Sequence, residues 1–211
     1  RMSAQAAVAC ALICRMLAPR IRAAATAAAA LLLVGAAADR QAAAQGAPAS
    51  ITVTSPTLTP GGVVPRQHTP DGRNDSPALQ WTNLPPGTRE LMVFCEDPDV
   101  GNPPPFVHWV VYNIPATATG LPEALPIDPT APMPPGLTGA RQGLSGFRRA
   151  IYRGPAPPPG TPHSYHFVVY ALDGPIVQAP HTPPMTRAEL LDAAKGHIIG
   201  RGELVATYER R

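Results

Sequence analysis

Residues 90–114 read ELMVFCEDPDVGNPPPFVHWVVYNI. Two apolar runs, 90–97 and 106–114, flank an acidic turn and three successive prolines. β-Branched and aromatic residues favour strands, and turn residues between such runs mark a reversal of the chain. Around Val93 and Val110 the residues are apolar on both faces, the pattern of central strands covered on each side. Four more segments read as strands on the same grounds: 51–55 (ITVTS), 78–85 (ALQWTNLP), 164–173 (SYHFVVYALD) and 202–210 (GELVATYER). The implied fold is mainly β, an antiparallel two-layer β-sandwich with one or two short peripheral helices. One helix is signalled within 186–196, TRAELLDAAKG: Thr186 as N-cap, Glu189 as its capping-box partner and Gly196 as the stop. Leu190, Leu191 and Ala194 supply an apolar face that should pack on the sheet.

Working outward, 48 residues separate Ile114 from His163 and hold 12 prolines and 7 glycines. Loops beyond about 12–15 residues are uncommon in compact domains. The stretch 126–143 (PIDPTAPMPPGLTGARQG) reads as a loose insertion, and 152–165 (YRGPAPPPGTPHSY) as a stiff approach to the next strand.

The first 44 residues differ in kind from the rest. Arg15, Arg20 and Arg22 precede AAATAAAALLLVGAAA and the small-residue stretch QAAAQ, the order of a secretory leader with cleavage expected after Ala44. Met16 opens a leader that is complete by itself. The apolar core is nearer about 15 residues than the roughly 20 of a spanning helix. The expected organisation is therefore a leader over 1–44 and one domain over 45–211, located in the periplasm or secreted, with no integral span after leader removal. The chain has 17 basic against 14 acidic residues, but Arg1, Arg15, Arg20, Arg22, Arg40 and Asp39 fall in the leader. The remaining 12 and 13 leave a near-neutral domain with no basic stripe for nucleic acid. Cys10 and Cys14 also fall in the first 44 residues, so Cys95 is left alone and reads as a small buried apolar residue.

Asp97, Asp99 and His108 stand at the ends of otherwise apolar strands, and this placement points to catalysis or to a binding pocket. Alternation of side chains along a strand puts His108 on one face with Phe106, Val110 and Tyr112, and Trp109 on the other. His163 and Tyr165 share a face at the start of another strand, so the two segments can meet at one end of a sheet. Each residue also has a plainer role: Asp-Pro-Asp builds turns, and strand histidines are often hydrogen-bonded core residues. Spacing alone favours those plainer roles. As metal ligands, His108, His163, Asp97 and Asp99 are suitable by type, yet they offer no close-spaced pair, and His163 and His166 point to opposite faces. Ser145 in GLSGF lacks the spacing and context of a hydrolase nucleophile. His68, His166, His181 and His197 are read as structural or solvent-exposed.

Several motifs in order carry a resemblance: DPD at 97–99, HWVVYNIP at 108–115, GPAPPPGTPHSYHFVVYALD at 154–173 and RAELLDAAKGHIIGRGELVATYER at 187–210. Together they resemble the phosphatidylethanolamine-binding protein family, in particular its bacterial Raf-kinase-inhibitor-like branch, over about residues 50–210. The ordered set reverses the preference left by spacing. The resemblance implies an antiparallel β-sandwich with a small anion-binding pocket at one end. It assigns ligand binding to Asp97, His108, His163 and Tyr165, and shaping of the pocket to Asp99, Pro98 and Phe106. It implies non-catalytic binding of phosphate-like or phospholipid-headgroup ligands, with no cofactor and no metal. The alternative is an inhibitory module acting on a protease or kinase-like partner, and a metal-dependent hydrolase comes third. Two positions depart from the family's pattern. Val100 and Gly101 stand where Ala-Pro usually follows Asp-Pro-Asp, and Ser164 replaces an Arg between His163 and Tyr165. By alternation Ser164 points away from the pocket.

Two imidazoles and a phenol offer donors to an oxygen-rich anion, but an ionised Asp97 repels a phosphate. The conflict is relieved if Asp97 pairs with an imidazolium, raising that histidine's pKa, or if it accepts a proton-bearing ligand oxygen or an ammonium group. A zwitterionic headgroup suits such a site better than a bare dianion.

The leader pattern predicts that exported material begins near Gln45. Intact-mass analysis of protein from the producing cell should find that start, and a membrane-bound species retaining Leu31–Val34 would contradict it.

Overall fold

The structure, a computed structural model, describes residues 47–101, 103–128, 130–176 and 183–211. The expected leader, with Cys10, Cys14 and Met16, lies outside the described residues, as does His181. Among the described residues the strands form two sheets. The larger holds, in spatial order, β1 (Ala49–Ser50), β9 (Ile198–Tyr208), β8 (His163–Leu172), β4 (Glu90–Asp97), β5 (Phe106–Pro115) and β7 (Arg141–Gln142). The smaller holds β2 (Thr52–Thr54), β3 (Leu79–Thr82) and β6 (Gly120–Leu121). Neighbours are antiparallel except β1 and β9, which run parallel.

The two apolar faces read from residues 90–114 have separate partners. Leu91, Val93 and Cys95 of β4 join Trp109 and Val111 of β5, Phe167 of β8 and Trp81 of β3 in the core between the sheets. Met92 and Phe94 turn the other way and pack with Val110, Tyr112, Leu190 and Ala194. Burying a side chain such as Phe94 contributes roughly 1.5–3 kcal/mol. The second cluster is closed by α1 (Arg187–Ala193), whose capping box is formed: Thr186 Oγ1 accepts the Glu189 N–H, and Glu189 Oε2 accepts the Thr186 N–H at 2.8 Å. The helix ends before Gly196, which takes up φ +83° two residues beyond the C-cap, Ala194.

The stretch 126–143 is not the loose insertion its composition indicates. Leu137 and Ala140 are buried, and Arg141–Gln142 forms β7 on the edge of β5. The physical reason is the indole of Trp109, whose buried N–H needs an acceptor. It donates to Gln142 Oε1 at 2.9 Å, and Gln142 Nε2 donates in turn to the Pro126 carbonyl at 2.7 Å. An unpaired buried donor costs about 1–3 kcal/mol, so this one contact ties the proline-rich segment to the sheet.

Glu90, at the start of β4, is buried, and its Oε2 accepts the Ile176 N–H at a long 3.3 Å. Burial outweighs the backbone donors of Ile176 and Asn113 and pushes its pKa up to about 7. An unfolded Glu ionises near ~4.3, so the fold favours the protonated form. The resulting stabilisation is complete below that value and is lost as the pH rises through about 7. Glu90→Gln should raise the melting temperature at pH 8 by several degrees, on the order of 2–3 kcal/mol, and change it little at pH 4. An equal effect at both pH values would show that the carboxyl titrates normally.

Candidate functional site

Antiparallel pairing brings the last residue of β4 beside the first residues of β5 and β8. Asp97 pairs with Phe106, and Glu96 pairs with His166, three residues into β8. Asp97, His108, His163 and Tyr165 thereby gather at one end of the large sheet. Together with Phe106 and Asp99 they line a cavity of about 500 Å³. Pro98 does not line it. It occupies the first position of a short 3₁₀ turn, Pro98–Val100, and borders an adjoining groove.

Asp97 is 1% exposed, and its carboxylate is held on both oxygens. Oδ2 accepts from His163 Nδ1 at 2.8 Å, and Oδ1 accepts the Asp99 N–H at 2.9 Å. Asp99 Oδ2 accepts the Ser164 N–H at 2.7 Å, tying the turn to β8. Asp-Pro-Asp therefore builds the turn and furnishes the pocket at once. The Ser164 contact is made by backbone, so it does not depend on an Arg at that position, and Ser164 does not line the cavity. Gly101 sits at φ +128°, a conformation closed to proline, whose ring holds φ near about −65°. Beside it the exposed Val100 forms part of the cavity wall.

His108 reaches the site by a route that strict alternation misses. Cys95 pairs with Trp109 and Glu96 with Val107, so β5 carries one extra residue, His108, at a bulge. A bulge re-aims the side chain it inserts. His108 therefore stands edge-to-face on Tyr165, centroids 5.2 Å apart, on the side of the intersheet core that Trp109 also joins. The expected grouping of His108 with Val110 and Tyr112 is overturned, since those two face α1. The ring is clamped further by Phe106 at 5.3 Å and Phe147 at 5.4 Å.

A strap from the long loop orients this imidazole. His108 Nδ1 donates to the Arg153 carbonyl at 2.8 Å, which leaves Nε2 toward the cavity, 3.9 Å from Asp97 Oδ2. The strap is anchored from Tyr152, whose hydroxyl donates to the His68 carbonyl at 2.8 Å, and by the Gly154 N–H on Asn74 Oδ1 at 2.9 Å. A Cβ on Gly154 would lie 1.9 Å from the His68 carbonyl oxygen, so this approach requires glycine. Burial pushes the His108 pKa below the ordinary imidazole value, against the raising effects of the Arg153 carbonyl and of Asp97. Desolvation thus outweighs the nearby carboxylate at His108, and the histidine in hydrogen-bond contact with Asp97 is His163, at 2.8 Å. Tyr165 is fully buried, and its hydroxyl lies near the Asp97 side chain and the Ala156 backbone with no partner at hydrogen-bond geometry among the described residues. Burial first, then the charge of Asp97, raises its pKa well above that of a free phenol.

The sequence reading missed Phe147, Arg153 and Arg210, which also line the cavity. Phe147 and Arg153 lie in the long loop, where no periodicity marks them; the Arg153 guanidinium rests 4.5 Å over the Phe147 ring. Of the remaining histidines, His68 is buried and bonded to the Asp75 carbonyl, and His197 pairs with Asp173 at the surface. Ser145 Oγ donates to the Arg149 carbonyl at 3.0 Å.

Fold and site define a β-sandwich with a polar, aromatic-walled pocket set into the end of its larger sheet. The family model for phosphatidylethanolamine-binding protein matches residues 54–209, and the chain belongs to that family. A UPF0098 protein of Methanothermobacter thermautotrophicus is 36% identical over 149 residues, 71% of this chain and 92% of its own. Another, from Aquifex aeolicus, is 33% identical over 168 residues, 77% and 90% of the two chains. Among solved structures, E. coli YbcL, described as a member of the mammalian PEBP family, superposes with a TM-score of 0.67 at 32% identity over 76% of this chain and 99% of its own. A phosphatidylethanolamine-binding protein homologue from Chlamydia trachomatis gives 0.64 at 31% identity, over 77% and 99%.

Because the Tyr165 hydroxyl has no protein partner, Tyr165→Phe removes no internal hydrogen bond. Its melting temperature should match or slightly exceed that of the parent, within about 1 kcal/mol, whereas the loss of a made bond would destabilise by about that amount. A drop of several degrees in a thermal melt would show that the hydroxyl is bonded in the ligand-free protein.

Proposed function

We propose that the chain binds a small phosphate-bearing molecule, free or as a zwitterionic phospholipid headgroup, in the end-of-sheet pocket and does not turn it over. The observation that carries this reading is the buried Tyr165 hydroxyl, without a protein partner, in a cavity it shares with Asp97, His108 and His163. Buried polar groups are rarely left unsatisfied, and a ligand oxygen is a suitable partner. The cavity, about 500 Å³, falls within the usual range for small-molecule sites. Support for binding without turnover comes from two candidate nucleophiles. Cys95 is enclosed in the core, where burial pushes its thiol well above the ordinary range, and the Ser145 hydroxyl is bonded to a carbonyl. Among the described residues no helix is long and apolar enough to cross a membrane. Export to the periplasm or the medium is part of the same proposal and rests on the leader pattern of residues 1–44 alone.

Titration with phosphoethanolamine should shift the NMR signals of Asp97, His108, His163 and Tyr165 together, with a single dissociation constant, and a neutral alcohol of similar size should not. His108→Ala should weaken binding by roughly 1.5–3 kcal/mol, the range for a hydrogen bond to a charged group. A thermal melt of the same variant separates loss of contact from loss of fold. Perturbation of His108 without His163 and Tyr165 would rule out a shared site.

A further inference from the structure

Residues 129–172 hold Arg141, Arg148, Arg149 and Arg153 and no acidic residue. Elsewhere in the domain arginines stand in ion pairs: Arg73 with Asp75, Arg187 with Glu96, Arg201 with Glu203 and Arg210 with Asp71. Arg148, Arg149 and Arg153 are exposed, and none of their guanidiniums makes a hydrogen bond or ion pair among the described residues. Two of the three, Arg149 and Arg153, line a groove of about 300 Å³. This groove shares Phe147 and Arg153 with the end-of-sheet cavity but not Asp97, His108, His163 or Tyr165. No acidic residue lines it, and Pro70 and Ile151 give it apolar walls. Asn74 lines it as well; its Oδ1 accepts the Gly154 N–H, so the amide Nδ2 remains a donor without a partner among the described residues. A lone exposed arginine is ordinary, but uncommitted donors gathered on an apolar concavity are the pattern of a small-molecule site. The groove is also held in shape. Ser145 N–H and Oγ both donate to the Arg149 carbonyl at 3.0 Å, and the Gly143 and Gly146 N–H groups donate to the β5 carbonyls of Val110 and Val107 at 2.9 and 2.8 Å.

We propose that this groove is a second binding site, separate from the end-of-sheet pocket, for a small organic anion: a carboxylate or phosphate carried on an apolar body. The anion accepts hydrogen bonds from the Arg149 and Arg153 guanidiniums and the Asn74 amide, and the body packs against Pro70 and Ile151. Guanidinium suits this task because its planar fork can meet two oxygens of one carboxylate or phosphate. The patch spans one loop, so it is scaled to a single anionic group and not to a run of phosphates.

The test is NMR titration of the full chain with benzoate, phenyl phosphate and benzyl alcohol, read at the side-chain N–H signals of Arg149 and Asn74 and the ring signals of His163 and Tyr165. Benzoate or phenyl phosphate should move the Arg149 and Asn74 signals to saturation with one dissociation constant, which His163 and Tyr165 do not share. The tighter of the two identifies the anion. Benzyl alcohol, the same ring without the charge, should bind about tenfold more weakly or worse. Arg149→Gln, at an exposed position outside the end-of-sheet cavity, should keep the parent's melting temperature and lose about tenfold or more in affinity for the anion. Its titration with phosphoethanolamine at His163 and Tyr165 should match the parent's. The proposal is overturned if neither anion moves Arg149, if the shifts grow without saturating, if benzyl alcohol binds as well as the anions, or if Arg149→Gln binds as tightly as the parent. It is overturned too if Arg149, His163 and Tyr165 respond with one shared constant, since the anion then sits in the end-of-sheet pocket. None of these results bears on whether that pocket takes a headgroup, which phosphoethanolamine tests separately.

Discussion

Strand β4 is buried on both faces along all of its length, and this governs what its two ends can carry. An ionised carboxylate in such a position is costly unless hydrogen-bond donors meet it. Glu90 at one end has a long bond to Ile176 and responds by holding its proton to near neutral pH. Asp97 at the other end is met on both oxygens, by His163 and by the Asp99 backbone. The antiparallel neighbours that bury β4 are the same strands that deliver those partners. The site is thus a consequence of how the central strand terminates.

Around Asp97 the polar groups are held by rings. His108 lies edge-to-face against Phe106, Phe147 and Tyr165, contacts that fix its plane, while the Arg153 carbonyl fixes its tautomer. Edge-to-face pairs contribute about 0.5–1.5 kcal/mol each beyond their burial, so the imidazole is oriented before any ligand arrives. The same enclosure lowers its basicity. With Nδ1–H given to the Arg153 carbonyl, the neutral His108 ring turns a lone pair on Nε2 toward Asp97 Oδ2, 3.9 Å away.

Much of this architecture is legible in the chain. The double-faced apolar runs around Val93 and Val110 mark central strands because a strand covered on both sides has no polar face to alternate, and Thr186 with Glu189 marks a helix start because their reciprocal bonds are local. The ordered motifs place Asp97, His108, His163 and Tyr165 in one site, and the structure brings them to one cavity. Composition misleads over 126–143, where prolines and glycines indicate looseness. What orders that segment is Trp109, a partner 33 positions from Gln142 that no local pattern reveals.

The sequence by itself determines which segments become strands, where the helix begins, and that acidic and imidazole side chains stand at strand ends. These are short-range properties, set by side-chain shape, alternation and backbone hydrogen bonding. Only the tertiary structure decides that His108 faces Tyr165, because the bulge that re-aims it is a mismatch between β5 and β4 and belongs to neither strand alone. Only the tertiary structure decides that His108 is neutral, which tautomer it holds, and that the Tyr165 hydroxyl lacks a partner at hydrogen-bond geometry, because burial sets the first, a carbonyl 45 positions away sets the second and enclosure in the core sets the third.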